Sequence, residues 1–532
     1  MGQRYLTLPR LGVAALVLLL LSLVPPGRGT VRAASDPNTL TLAILYWAPE
    51  LDPQSNYDVS AATFLPACYD SLVRVVGQKQ PRIVPDLATS WNHSADGKTW
   101  TFHLRSGVKF HDGTPLDAAA VKFTFDRLRK LGVAIAGASG DYTEISKVEA
   151  VNPTTVRFIL QYPFSSFLTS LTTVWGIGIV SPTAVKAHTD KKNPKDLGHK
   201  WLLDHEAGSG PYMLTSYNRN TGMTLTKFPG YWRGWAGKHF DKVVIKFVAQ
   251  STTQRLMLQR GDLDGTMGLS WQDFAAVARD LTIVAREYTA QTIKDIRINN
   301  RYGPTANVLV RRALSYAWDY QGMVKGAYQG HARVMEGIEP VGFAHFVKPA
   351  HPYTFDLQKA KELFAKAGYS KGLTLTYYYF PAQQDMLRMG EIFQANLASI
   401  GVTLKLQGIN SATYSQLDQK PQTVPQIFGG AWTMDYADDQ QGYWLQYTVT
   451  NRPQVVTDNK IDQLLLAAMK ATDEATAMRY YTQAVNRIHD EAISIWSVQP
   501  NDSVALRSDL KGYQYNYLYS SYHFPVYNMY RG

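Results

Sequence analysis

From Thr39 onward the chain alternates between two spacings of apolar residues, one with a period of two and one with a helical period. Thr99-Trp-Thr-Phe-His-Leu104 alternates as a half-buried strand does, and Asp96-Gly97 before it is a tight-turn dipeptide. Lys109-Phe-His111 runs into a second such turn at Asp112-Gly113. The sequence then predicts a helix with Thr114 as N-cap, Pro115 at the first helical position and Asp117 completing a capping box. Val121, Phe125 and Leu128 fall on one face of it.

The second half has a more regular rhythm. Asp356 caps a helix in which Leu357, Ala360, Leu363, Phe364 and Ala367 share a face, and Gly368 ends it. A strand follows through Leu373-Thr-Leu-Thr-Tyr377, then a helix from about Asp385 to Ser399 that buries Met389, Ile392, Phe393 and Leu397. Val402-Thr-Leu-Lys-Leu406 is the next strand. Strand–helix–strand order at this spacing predicts a mostly parallel sheet covered by helices. One sheet cannot absorb 532 residues, so two such α/β lobes are expected.

The N-terminus reads differently. Arg4 and Arg10 precede an uncharged, Leu-rich stretch from Leu11 to Val24, which Pro25, Pro26 and Gly27 break. Val31-Arg32-Ala33 offers a small-x-small cleavage site, the layout of a secretory signal peptide over residues 1–33. The stretch is shorter than the roughly 20 residues a bilayer span needs. No cysteine follows it, so no lipoprotein anchor is expected. An exported protein, in a periplasm or on the outer face of a cytoplasmic membrane, is the expectation. Removing the leader takes away Arg4, Arg10, Arg28 and Arg32 and no acid, which lowers the formal charge of +11. The remaining cations are scattered, with no basic stripe between aromatics, so a nucleic-acid partner is not expected.

Composition excludes more. Apolar residues make up 45% and charged residues 18%, which is ordinary globular material. The single cysteine, Cys68, rules out an intramolecular disulfide and a thiolate zinc cluster, and its apolar setting marks it as a packing residue. There is no His-Glu-x-x-His, no Gly-x-Ser-x-Gly and no phosphate-cradling glycine loop. No cofactor, metal or catalytic residue is therefore expected.

Several blocks together resemble the family 5 extracellular solute-binding proteins, the dipeptide, oligopeptide and nickel receptors of ABC importers. They are Pro85-Asp-Leu-Ala-Thr-Ser-Trp91, Thr101 to Pro115, Ser209-Gly-Pro-Tyr212, Gly230-Tyr-Trp232, Gln259-Arg-Gly-Asp-Leu-Asp264, Val310-Arg-Arg-Ala-Leu314, Ile400-Gly-Val402 and Trp432-Thr-Met-Asp-Tyr436. The resemblance implies an α/β, two-lobed periplasmic-binding-protein-like fold (type II, cluster C-like) that closes on its ligand. It places the first lobe at 34–290 with an extra subdomain near 62–180, the second at 291–499, and a C-terminal return at 500–532. Two strands would cross between lobes, near Gln291–Asn299 and Trp496–Ser503. Its implied partners are a short peptide or other small ligand and the permease subunits, and the expected state is a monomer.

Most of these blocks read as turn and scaffold chemistry, and Arg105 as a surface or interlobe ion pair. Phe428-Gly-Gly-Ala-Trp-Thr-Met-Asp-Tyr436 differs, being small, apolar and aromatic before it presents one acid. Gly429, Gly430 and Ala431 would let an extended ligand approach the backbone. By the resemblance Asp435 holds the ligand's α-ammonium group, with Ala431, Trp432, Met434 and Tyr436 around it. A turn or N-cap role for Asp435, or competition from Asp438 or Asp439, stays open. Arg388 is the candidate for the carboxylate end, with a solvent-facing helix position as the other reading. Tyr46, Trp47 and Tyr379 are candidate aromatic walls. An oligosaccharide, nickel chelate or other small solute is the alternative cargo, and an exported hydrolase the alternative class.

Overall fold

The computed structural model describes residues 36–45, 50–56, 59–77, 82–132, 142–173, 177–341, 343, 345–381, 383–433, 436, 440–471, 473–516 and 523–532. The leader, residues 1–33, lies outside them. Twelve strands form one mixed sheet. Its spine is the 14-residue strand Ser494–Arg507. One edge of that strand pairs antiparallel with Thr292–Ile298 and then with Ile283–Thr289. Its other edge holds Ala332–Val334 and Gly265–Met267. Ala290 and Gln291 are all that separates the two partners on the first edge. There the Ala290 N–H donates to the Pro500 carbonyl at 3.1 Å, and Gln499 Nε2 donates to the Ala290 carbonyl at 2.8 Å.

The mostly parallel sheet of the sequence reading needs correction. Parallel pairing joins Leu373–Tyr379 to Val402–Gly408 and Ile427–Thr433, and Thr39–Ile44 to Lys242–Phe247 and Gly265–Met267. The other pairs of the large sheet are antiparallel: the two runs that cross between lobes lie against each other, and Tyr212–Asn218, Gly222–Lys227 and Lys242–Phe247 form a meander in the first lobe. Asp356 caps Leu357–Lys366 as its position predicts, accepting from the Lys359 N–H at 2.8 Å. The helix after Asp112-Gly113 starts later than Thr114. Its N-cap is Asp117, which accepts from the Ala120 N–H at 3.0 Å, and the helix is Ala118–Leu131. Thr114 is instead held by Asp112, and Pro115 bridges back to Lys109, so the turn keeps the chain extended past the proline.

The buried apolar side chains fall into two groups, one for each lobe. Leu40, Leu42, Phe64, Val243 and Ile245 pack with Val504, Phe524, Val526 and Met529, so the first lobe is closed by the chain's last residues. A satellite core between Leu72 and Ile179 lies on the antiparallel sheet of Ala88–His93, Thr99–Leu104, Thr155–Leu160 and Ile145–Asn152. The second group draws only on residues between Ile296 and Val498.

Two polar clusters lock the first lobe. His111 brings two of the sequence blocks together, with Nδ1 2.7 Å from Glu206 and Nε2 donating to the Gly210 carbonyl at 2.9 Å. Burial alone would lower the His111 pKa, but Glu206 outweighs it and raises it. Gly210 has no alternative here, since a Cβ would sit 2.6 Å from the Ala67 carbonyl oxygen. In the second cluster Asp52 is fully buried and takes Arg127 Nη2 at 2.6 Å and His199 Nδ1 at 3.0 Å. Arg127→Met strands that carboxylate and should cost about 3–5 kcal/mol. The double variant Asp52→Leu/Arg127→Met should be less destabilised than the single, as thermal denaturation would show. A double variant no more stable than the single would remove charge pairing as the cause.

Candidate ligand-binding site

In open α/β sheets ligands gather beyond the carboxyl ends of parallel strands. Those ends in the second lobe are Tyr379, Gly408 and Thr433. Thr433 is clamped to the crossing run by its hydroxyl, 2.8 Å from that of Thr292. The candidate site therefore lies beside Thr292, next to the gap at Ala290 and Gln291 between the two strands that pair with Ser494–Arg507.

The strand Ile427–Thr433 pairs antiparallel with Thr292–Ile298, which sets Trp432 opposite Ile293 and Ala431 opposite Lys294. Its glycines serve the protein itself, which corrects the expectation that they clear room for a guest. A Cβ on Gly429 would collide with the Tyr377 hydroxyl, and one on Gly430 would lie 2.7 Å from Arg297 Nε and 2.9 Å from Asp295 Oδ1. Arg297 Nη2 also donates to the Ala431 carbonyl at 3.2 Å. Burial would lower the Arg297 pKa, but neighbouring Asp295 raises it, so the guanidinium stays charged in the core.

The other predicted residues separate. Ala431 and Trp432 are half-buried at the strand's carboxyl end, and Tyr436 is fully buried. Tyr379 is half-buried, with its ring beside Gly408 and 6.4 Å from the Tyr377 ring. Tyr46, Trp47, Met434 and Asp435 lie outside the described residues. Arg388 does not come to the site. It is 58% exposed on the helix Gln384–Ser399, paired with Glu391 at 2.8 Å, while Met386, Met389, Phe393 and Leu397 form that helix's buried face. A cation the sequence reading missed is Lys294, 2.8 Å from Asp385 near the start of the same helix. Burial would raise the Asp385 carboxyl, but Lys294 and the Tyr328 hydroxyl hold it below the usual range. No local motif marks this pair, because strand register and helix packing bring its members together.

Across the hinge, the first lobe presents Tyr288 stacked on Tyr515 at 4.3 Å, and the Tyr515 hydroxyl donates to Asp502 at 2.6 Å. Behind Tyr515 a cavity of about 190 Å³ opens between the helix Phe64–Cys68, the strand Val73–Val76 and the C-terminal return. Asp70 and Asp86 line it together with Arg74 and Arg233. Asp70 accepts from Ser209 Oγ at 2.9 Å, Tyr231 Oη at 3.2 Å and Trp232 Nε1 at 3.2 Å, and Arg233 pairs with Asp86. Arg105 belongs here and forms no interlobe ion pair among the described residues: its guanidinium lies 3.6 Å over the Trp232 ring, and its Nε donates to the Asp86 carbonyl at 2.7 Å. Burial, then the charge of Asp86, pushes the Asp70 pKa up to about 7. The folded state thus holds its proton well above the pH at which an unfolded aspartate loses it. The favourable contribution is complete below about pH 4 and is lost as pH rises through about 7. Asp70→Asn should therefore raise the melting temperature at pH 8 relative to wild type and show little gain at pH 4. An equal shift at both pH values would overturn the assignment.

Among the described residues, no helix is long and apolar enough to cross a membrane, and no group of three or more His, Cys, Asp or Glu is placed to hold a metal ion.

This two-lobed sheet with a site at its hinge is the architecture of a solute-binding protein. Residues 82–454 match the model of the bacterial extracellular solute-binding proteins, family 5 Middle. The chain is 31% identical over 501 residues to the probable D,D-dipeptide-binding periplasmic protein DdpA of Escherichia coli K12, covering 93% of this chain and 92% of that protein. It is 29% identical over 454 residues to the glutathione-binding protein GsiB of Salmonella typhimurium, covering 83% and 85%. Among solved structures it resembles the periplasmic binding protein DppA of Helicobacter pylori in complex with the peptide STSA, at 25% identity and a TM-score of 0.79 over 93% of this chain and 98% of that one. The chain belongs to the family 5 bacterial extracellular solute-binding proteins.

Proposed function

We propose that this protein captures short peptides between its lobes and delivers them to the permease of an ABC importer. The observation that carries the reading is near-full-length similarity to DdpA and to the STSA-bound DppA, whose names specify a D,D-dipeptide and a peptide. The lobes are residues 34–290 and 291–499, with 500–532 returning to complete the first, and the pairing of Ser494–Arg507 with both halves of the crossing run supports that division. Rotation about Ala290, Gln291 and Pro500 closes the cleft, and a ligand touching both lobes stabilises the closed form. Residues 1–33 direct export and are removed, and the mature protein acts as a monomeric receptor outside the cytoplasmic membrane. Binding here is the whole task; no residue is assigned a catalytic role.

Asp435, two residues after Thr433 in the sequence, grips the ligand's ammonium group. Arg388 is left out of the site because its guanidinium already serves Glu391 on the solvent side. The test is a thermal-shift panel of D-Ala-D-Ala, Ser-Thr-Ser-Ala and glutathione against cello- and xylo-oligosaccharides and nickel–histidine. Stabilisation by a peptide and by none of the others is expected; stabilisation by a sugar or the nickel chelate alone would overturn the reading. Asp435→Asn should weaken the responding peptide by about 3–5 kcal/mol in titration calorimetry. Affinity within twofold of wild type would remove Asp435 from the site.

A further inference from the structure

A buried hydrogen-bonding atom without a partner costs about 1–3 kcal/mol, so each such atom in a folded protein calls for a cause. Two of them lie at the hinge end of the site strand. Trp432 Nε1 and Gln291 Oε1 are both shielded from solvent, and neither has a hydrogen-bond partner among the described residues. Trp432 stands opposite Ile293, and Gln291 is two residues before Ile293 in the same run. The Thr292 and Thr433 hydroxyls meet at 2.8 Å between the two strands, and Ala290 is hydrogen-bonded to Pro500 and Gln499. Gln291 is 7% exposed, so it does not turn to water for its missing bond. A third unpartnered oxygen, Asp295 Oδ1, has another explanation, since its carboxylate balances the buried Arg297.

The chemistry of the two atoms is complementary. An indole N–H can only donate, and an amide oxygen can only accept. A planar amide offers the reverse, a carbonyl oxygen and an N–H. We propose that Trp432 and Gln291 read the ligand's own peptide group, Trp432 Nε1 donating to its carbonyl oxygen and Gln291 Oε1 accepting from its N–H. This rests on the peptide reading above and adds to it a reason for preferring an amide to an ester. It also assigns a role to Gln291, which lies outside every sequence block that marks the family.

The test compares the mature chain with Trp432→Phe and Gln291→Met, using D-Ala-D-Ala and D-alanyl-D-lactate, in which an ester oxygen replaces the amide N–H. Wild type should bind the amide about tenfold more tightly than the ester. Gln291→Met should abolish that preference, and Trp432→Phe should weaken both ligands by a similar factor while keeping it. Both variants without ligand should melt at or above the wild-type temperature, because each removes an unpaired buried atom. A preference that survives Gln291→Met, or affinities within twofold of wild type in both variants, overturns the pair alone. A fall in ligand-free melting temperature in both variants with unchanged binding would make these atoms structural. Wild type that binds neither D-Ala-D-Ala nor Ser-Thr-Ser-Ala overturns the peptide reading and the pair with it.

Discussion

Everything in this molecule hangs from the strand Ser494–Arg507. Its first residues pair inside the second lobe and its last inside the first, so one ladder of backbone hydrogen bonds serves two cores. The partner run from Ile283 to Ile298 has the same double membership. A ladder resists shear along its length but tolerates a change of twist where side chains are few. The break in strand pairing at Ala290 and Gln291 is such a place, and the parallel strands of the second lobe aim their carboxyl ends at it. The carboxyl end of the strand at Thr433 therefore lies beside that break, where its hydroxyl meets that of Thr292.

The buried charges show how the rest is held rigid while that axis stays soft. Asp52 with Arg127 and His199, His111 with Glu206, and Asp70 with Asp86 and Arg233 all tie parts of the first lobe to each other. Arg297 with Asp295 and Lys294 with Asp385 do the same in the second. No member of these pairs reaches across from one lobe to the other, so a rotation between lobes leaves each buried pair intact.

Local order was readable wherever a turn or a cap sits beside a clean period. Asp356, Gly368 and the alternation of Thr99 to Leu104 led to the observed elements. The helix after Gly113 was misplaced by three residues because Thr114 and Pro115 suit an N-terminus, while the turn before them still holds the chain extended. The overall fold was legible through the motif blocks; the two crossing strands were legible only through the resemblance, and their antiparallel pairing was not legible at all, since pairing between residues so far apart in the sequence leaves no local trace. Gly429 and Gly430 were read as room for an extended ligand, but the groups that approach them are Tyr377, Asp295 and Arg297. For Arg388 the sequence left both a cleft cation and a solvent-facing helix position open, and the helix carries it outward to Glu391. Gln291 carries no motif, and only its buried, unpartnered oxygen draws attention to it.

The closure of the first lobe by Phe524, Val526 and Met529 also bears on biosynthesis. Thr39–Ile44 pairs with Lys242–Phe247 on one edge and with Gly265–Met267 on the other, and Gly265–Met267 in turn pairs with Val504 to Leu506. The earliest strand thus waits for nearly the last segment to leave the ribosome before its core can be sealed. A nascent chain of this design stays unfinished throughout translation, the condition in which a polypeptide can be threaded through a narrow translocation channel.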